Sequence, residues 1–369
     1  MSDFKEFISN KQVILDTTLR DGSYAVEFSF SSLDTRNFVE QLATSGIDLI
    51  EIGHGLGLNG FSHPSVSKYK CESDESHIIA AIEGRKDSKT TKIGCFCIPG
   101  IAKIEHLKKA IDLGIDFVRI GVDGIDYKKS IPFINEATKA GIGVCVNIMK
   151  TYSVSFDEFS NIGASVASEG IDLLYIVDSA GGMVPEEIKG YIESVSKLDC
   201  YLGFHAHNNL GLAVINSCMA LEYGVKIVDT SIMGLGRSAG NAATEQVYYV
   251  LKRMGREIPL DISTIHKIAD SFIKNRKTVA GSYEIDCVLG FSRFHSSYMP
   301  LINKYAKKYN ISEIDLILEV SRIDKVTPTE VLIQEVALNI SKSGRTVNHH
   351  FISDQQIRLR EDYIGNEQQ

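Results

Sequence analysis

The chain has 369 residues, of which 44% are hydrophobic and 23% charged, the proportions of an ordinary globular protein and not of a disordered one. A formal net charge of −8 without any long basic run gives no basis for binding nucleic acid or an anionic membrane surface. No apolar run approaches the roughly 18 residues needed to cross a bilayer, and Met1–Asn10 carries acids where a signal peptide needs an apolar centre.

In chain order, the first apolar run is Val13–Asp16, read as a strand and followed by Thr17-Thr18-Leu19-Arg20-Asp21-Gly22. A helical pattern over Leu33–Ser45 leads to a second strand, Leu49–Gly53, and a third follows at Lys92–Ile98. Cys95 and Cys97 share one face of that third strand, a spacing compatible with a metal but more simply read as buried small hydrophobes. Seven cysteines, an odd number with no Cys-x-x-Cys, suit a reducing cytoplasm, the expected location. Helix and strand then alternate: Ile101–Leu113, Phe117–Gly121, Ile131–Ala140, Gly143–Met149, Phe156–Ser168, Leu173–Val177, Pro185–Lys197, Tyr201–His205, Leu210–Tyr223 and Ile227–Ile232. Gly46, Gly114, Gly141, Gly170 and Gly224 stand just past helix ends, where a left-handed cap is needed.

Eight strands with near-continuous apolar character, nearly all followed by a helix, predict an α/β fold: a TIM (β/α)8 barrel. An open doubly wound sheet is the alternative, but no Gly-x-Gly-x-x-Gly follows the first strand. After about Ile258 strand-like runs vanish, and helical stretches follow at Ile262–Asn275, Tyr298–Tyr309, Ser312–Ser321 and Thr327–Ser341. The expected organisation is therefore a barrel over 1–258, a C-terminal helical domain over 259–345 and a polar, poorly ordered tail over 346–369.

Active sites of such barrels lie at the C-terminal ends of the strands. Here those ends carry Arg20 and Asp21, Glu51 and His54, Arg119 and Asp123, Asn147 and Lys150, Asp178 and Ser179, then His205 and His207. His205 and His207 are two apart on a strand, so both imidazoles face one volume. An isolated His-x-His is more often a pair of surface histidines. With Asp21 brought alongside by barrel closure, it becomes a three-ligand site for a divalent metal with open positions.

Leu15–Gly22 resembles the N-terminal signature of the metal-dependent lyases and Claisen-type synthases built on this barrel. Gly203–Gly211 resembles their metal-binding strand, and Gly234–Asn241 their glycine-rich loop. Within that superfamily the chain is most similar to the 4-hydroxy-2-oxovalerate aldolases, which are class II pyruvate aldolases. The features that point there are His54-Gly55, Asp178-Ser179-Ala180-Gly181 and the helical region from Gly290 to Ile340. The resemblance implies a carbon–carbon lyase that cleaves or forms a 4-hydroxy-2-oxo acid from pyruvate and an aldehyde. It implies Asp21, His205 and His207 as metal ligands with Asn241 close by, the ion being Mn²⁺ before Mg²⁺ or Co²⁺. Arg20 would stabilise the enolate oxygen, or else pair with a neighbouring acid, and Ser179 would orient the substrate carboxylate. The helical region would contact an aldehyde dehydrogenase partner, or alternatively a second copy of the chain.

Two departures from the family pattern stand out. Tyr24 occupies the position of the histidine base that follows Arg-Asp-Gly, and His295 stands where the family has a tyrosine before two serines, here Ser296-Ser297. An exchange of roles is expected, with His295 as general base and Tyr24 as hydrogen-bond donor, since a phenol near pKa 10 is a poor base. Lys150 stands where the family has smaller or neutral groups, and suggests either an anionic acceptor or an exposed lysine. Two other functions compete: a Claisen-type acyl-CoA synthase or lyase on the same metal site, and a non-catalytic partner subunit of a dehydrogenase.

Overall fold

The protein is described from a computed structural model covering residues 3–9, 11–69, 71–85, 88, 90–273 and 283–343. All eight expected strands are present: β1 (Val13–Asp16), β2 (Leu49–Ile52), β3 (Lys92–Cys97), β4 (Phe117–Asp123), β5 (Gly143–Met149), β6 (Leu173–Asp178), β7 (Tyr201–Ala206) and β8 (Ile227–Thr230). They close into one barrel in sequence order, with β8 returning to pair in parallel with β1. Each strand is buried on both faces, which is why its residues run apolar instead of alternating with polar ones.

The helices after β1 through β8 are α2 (Ser32–Ser45), α3 (Asp74–Arg85), α4 (Ile104–Asp112), α5 (Ile131–Ala140), α6 (Phe156–Ala167), α7 (Pro185–Ser194), α8 (Ala213–Glu222) and α9 (Thr244–Arg253). The Ser31/Asp34 and Ser155/Glu158 capping boxes start α2 and α6. All five glycines expected to close helices take positive φ. The helices α3 and α9 were not foreseen, and α4 and α8 begin three residues later than their apolar patterns suggested.

Alternation along the strands divides the packing in two. Outward residues, Cys95 and Cys97 among them, join the helices in the main core. Inward residues Val13, Leu15, Leu49, Phe117, Cys145, Leu173 and Ile227 form a separate cluster inside the barrel. A short helix the sequence did not announce, α1 (Asp3–Ser9), completes that cluster with Phe4 and Ile8, and Phe4 stacks on Phe117 at 5.3 Å. Phe4→Ala is expected to cost about 3–5 kcal/mol by leaving a cavity at this plug, measurable as a lower urea midpoint.

The described residues divide into two compact units, the first ending at Arg293 and the second beginning at Phe294. The boundary expected at 258/259 falls inside the first, because the helices that follow it pack onto barrel elements. Helix α10 (Ile262–Ile268) lies against α2 and continues as a wider turn over Ala269–Ile273. Helix α11 (Tyr283–Ser292) is tied to the loop after β8, where Ser238 Oγ donates to Asp286 Oδ1 at 2.9 Å, and Arg293 pairs with Glu187 of α7. The second unit contains α12 (Met299–Tyr309), α13 (Glu313–Ile323) and α14 (Glu330–Ser343), which pack on one another. The expected tail over 346–369, and the end of the helix expected to reach Asn275, lie outside the described residues. Among the described residues no helix is long and apolar enough to cross a membrane.

Candidate metal centre and active site

Barrel closure brings β1 beside β8, and β8 beside β7, so residues far apart in sequence meet at one rim. Asp21 opens a short turn after β1, His205 lies near the end of β7, and His207 follows just beyond it. One ligand atom from each of the three lies within 4.8 Å of the others, and all three side chains are buried. Asn241 reaches the same point through a β-bridge between its backbone and that of His207. Its Nδ2 donates to Asp21 Oδ2 at 2.8 Å, while its Oδ1 has no partner. Gly236 allows this loop to close, since any Cβ there would overlap the Asn241 amide.

The donor set fits a divalent ion. Burial opposes the Asp21 charge, yet Arg20, His207, His205 and Arg237 hold its carboxyl well below the usual range. Burial pushes the His207 imidazole down to about 3 despite Asp21, so the ring is neutral, the form that ligates. His207 Nδ1 is buried with no partner. His205 uses Nδ1 against Asp229 Oδ2 at 2.8 Å, which orients the ring and leaves Nε2 for an ion. A carboxylate, two imidazoles and an unfilled amide oxygen together make a hard-to-borderline site.

Beneath the site runs a buried chain of charges. Asp229 on β8 pairs with Arg119 of β4 across the barrel, and Arg119 Nη1 lies 3.0 Å from Glu51 Oε2 on β2. The same oxygen accepts from Arg20 Nε at 2.6 Å, and Arg20 Nη1 donates to Asp21 Oδ1 at 2.8 Å. Arg119 stacks on Tyr175, 4.3 Å from the ring centroid, and Arg20 stacks on Phe96 at 4.6 Å. Arg20 is thus paired with two acids and held beside the Asp21–His205–His207 cluster at once. Sequence reading had Arg20, Glu51 and Arg119 at strand ends but missed Asp229. The signal was present: an acid in the inward register of the apolar run Ile227-Val228-Asp229.

Other expected residues fall into place differently. Ser179 Oγ accepts from the Lys150 backbone N–H at 3.0 Å. Asp178 caps its own loop, accepting from Gly182 and Met183 N–H at 3.0 Å each. Lys150 is not an exposed lysine: it is buried, adopts a left-handed backbone, and its Nζ pairs with Asp123 at 3.1 Å. Tyr24 is half-buried, edge-on to Phe28, with the Arg237 guanidinium 5.7 Å from its ring centroid. Burial pushes its phenol up, although Arg237 acts the other way. His295 belongs to the second unit, where its Nδ1 pairs with Ser297 Oγ at 2.7 Å.

Residues 11–272 match the HMGL-like family. A 4-hydroxy-2-oxovalerate aldolase from Geobacillus genomosp. 3 is 32% identical over 332 residues, covering 89% of this chain and 97% of that one. The 4-hydroxy-2-oxovalerate aldolase of Carboxydothermus hydrogenoformans is 31% identical over 342 residues, 92% of this chain and all of that protein. Among solved structures, the carboxyl transferase domain of Rhizobium etli pyruvate carboxylase superposes with a TM-score of 0.73 at 16% identity, over 93% of this chain and 62% of that one. The HMG-CoA lyase of Bacillus subtilis superposes at 0.59 and 20% identity, over 70% and 92%. At these identities the two structures speak to the fold alone.

Proposed function

We propose, for a chain that belongs to the HMGL-like family and is a carbon–carbon lyase of the aldolase kind, the reversible cleavage of a 4-hydroxy-2-oxo acid to pyruvate and an aldehyde. The observation that carries this reading is the buried Asp21–His205–His207 cluster with the Arg20 guanidinium bonded to Asp21. The carboxylate–imidazole donor set suits Mn²⁺, with Mg²⁺ and Co²⁺ as alternatives. A divalent ion held by Asp21, His205, His207 and Asn241 would supply Lewis acidity where negative charge gathers on the 2-oxo oxygen.

The chain's own residues account for the rest of the reaction. A base removes the 4-hydroxyl proton, the C3–C4 bond breaks, and its electron pair moves to the 2-oxo oxygen. The products are an aldehyde and the enolate of pyruvate, which is then protonated at C3. Arg20, fixed by Glu51 and Asp21, presents a permanent positive charge towards that oxygen. Ser179 binds the substrate carboxylate. Tyr24 stays a neutral phenol, because burial raises its pKa, and donates to the departing aldehyde oxygen. His295 serves as the base. His295→Ala is expected to lower turnover by about 10²–10⁴ with the bound ion retained; full turnover in that variant removes His295 from the mechanism. The second unit would dock an aldehyde dehydrogenase or another copy, which co-elution with the dehydrogenase, set against the free chain's mass in solution, distinguishes.

The test of the whole reading uses purified protein, Mn²⁺ and a panel of 4-hydroxy-2-oxo acids. Pyruvate release is expected. Thioester turnover from acetyl-CoA and 2-oxo acids, with no pyruvate release, would assign the site to acyl-CoA chemistry instead.

A further inference from the structure

We infer that the ends of β4 and β5 form the acceptor half of this active site and select a neutral, hydroxylated aldehyde; the inference rests on the aldolase reading above. Arg119 of β4 reaches across to Asp229 of β8 and so forms a floor beneath the metal ligands. The next inward positions on β4 are Gly121 and Asp123, and the neighbour of Gly121 on β5 is Asn147. Tyr152 follows β5 in a short turn. These strands stand across the barrel from the rim that carries Asp21, His205 and His207.

Three buried polar atoms at these ends have no hydrogen-bond partner: Asp123 Oδ1, Asn147 Oδ1 and Tyr152 Oη. A buried polar atom without a partner is destabilising, so each of the three favours a ligand that fills it. They belong to two strands that pair with each other and to the turn that follows the second, and a buried polar atom without a partner calls for an explanation such as a ligand group. Their chemistry also narrows the ligand. Two are acceptors and the third both donates and accepts, which matches hydroxyl groups, each able to give and take one bond. An alkyl chain would leave all three unpaired. A carboxylate or phosphate would meet two acceptor oxygens of its own polarity, and the nearby cation, Lys150, already has its charge balanced by Asp123 at 3.1 Å. The Lys150–Asp123 pair therefore reads as a polar wall of the acceptor site, not as an anion trap.

The experiment compares addition of pyruvate to glyceraldehyde, propanal and succinic semialdehyde by the Mn²⁺-loaded full chain. Glyceraldehyde is expected to exceed propanal in kcat/KM by about 100-fold or more, the discrimination available to a site built for hydroxyls. Tyr152→Phe, which removes one oxygen and keeps the ring, is expected to shrink that ratio about tenfold, and Asp123→Leu to shrink it further. Preference for propanal or for the anionic aldehyde, or a ratio unchanged in both variants, overturns the inference. Deuterium exchange at C3 of pyruvate in D₂O reads the pyruvate half of the site alone. Exchange with the wrong aldehyde preference defeats only this inference. Absence of both exchange and addition defeats the aldolase reading with it.

Discussion

Alanine in place of His205 or His207 is expected to abolish tight Mn²⁺ binding and to lower pyruvate release by about three orders of magnitude or more. An ion polarising an oxygen contributes several kcal/mol to the transition state, and every ~1.4 kcal/mol is a tenfold change in rate. Each variant removes one of the two imidazoles, and the Asp21 carboxylate, the remaining imidazole and the weaker Asn241 amide oxygen do not replace it. Asp229→Asn, which leaves all three ligands in place but weakens the orientation of His205, is expected to cost about 10–100-fold in Mn²⁺ affinity. Calorimetric titration with Mn²⁺ gives both numbers, and circular dichroism shows whether the variants remain folded. A His207→Ala protein that still bound Mn²⁺ tightly would place the ion elsewhere and remove the basis of the catalytic proposal.

The same residues show why the barrel was legible from sequence and its neighbours were less so. Strand positions follow from apolar runs ended by glycine-capped helices, signals confined to a few residues each. All eight strands were found within three residues of their observed ends. His205 and His207 were visible because a strand's period of two fixes where both point. Helix α1 was not visible, because its value lies in filling the barrel with Phe4 and Ile8, a tertiary effect that seven residues cannot announce. Helix α3 hides its buried side in small and polar residues such as Ala80, Ala81, Gly84 and His77, so no strong apolar stripe marks it. For Lys150 the sequence left an anionic acceptor or an exposed lysine as readings; its pairing with Asp123 was not legible, because Asp123 sits on the preceding strand and only parallel pairing of β4 with β5 brings them together. Asp229 was not singled out, because nothing within its own short strand gives an acid a role and its partner, Arg119, lies 110 residues away.

Arg119→Met is expected to be the most destabilising single change in the barrel interior, by about 3–5 kcal/mol. Arg119 has no exposed surface and lies between two acids, Glu51 and Asp229, which are themselves fully buried. Removing the guanidinium leaves both carboxylates in an apolar interior with less compensation, and that penalty exceeds the attraction lost. Glu51 retains Arg20, and Asp229 retains His205, so the loss stays below that of stranding two bare charges. Thermal unfolding with a chelator present isolates the effect from metal binding, which would otherwise stabilise only the native state. A fall on the order of 10 °C is expected. The double variant Arg119→Met/Glu51→Leu should regain part of it, because one stranded charge is gone and the pair of apolar groups fills the same space. A melting temperature unchanged in Arg119→Met would mean that the guanidinium's own burial cost cancels its two ion pairs. In that case the charge chain is kept for the geometry it imposes on Arg20 and His205, and the variant's deficit should appear in Mn²⁺ affinity alone.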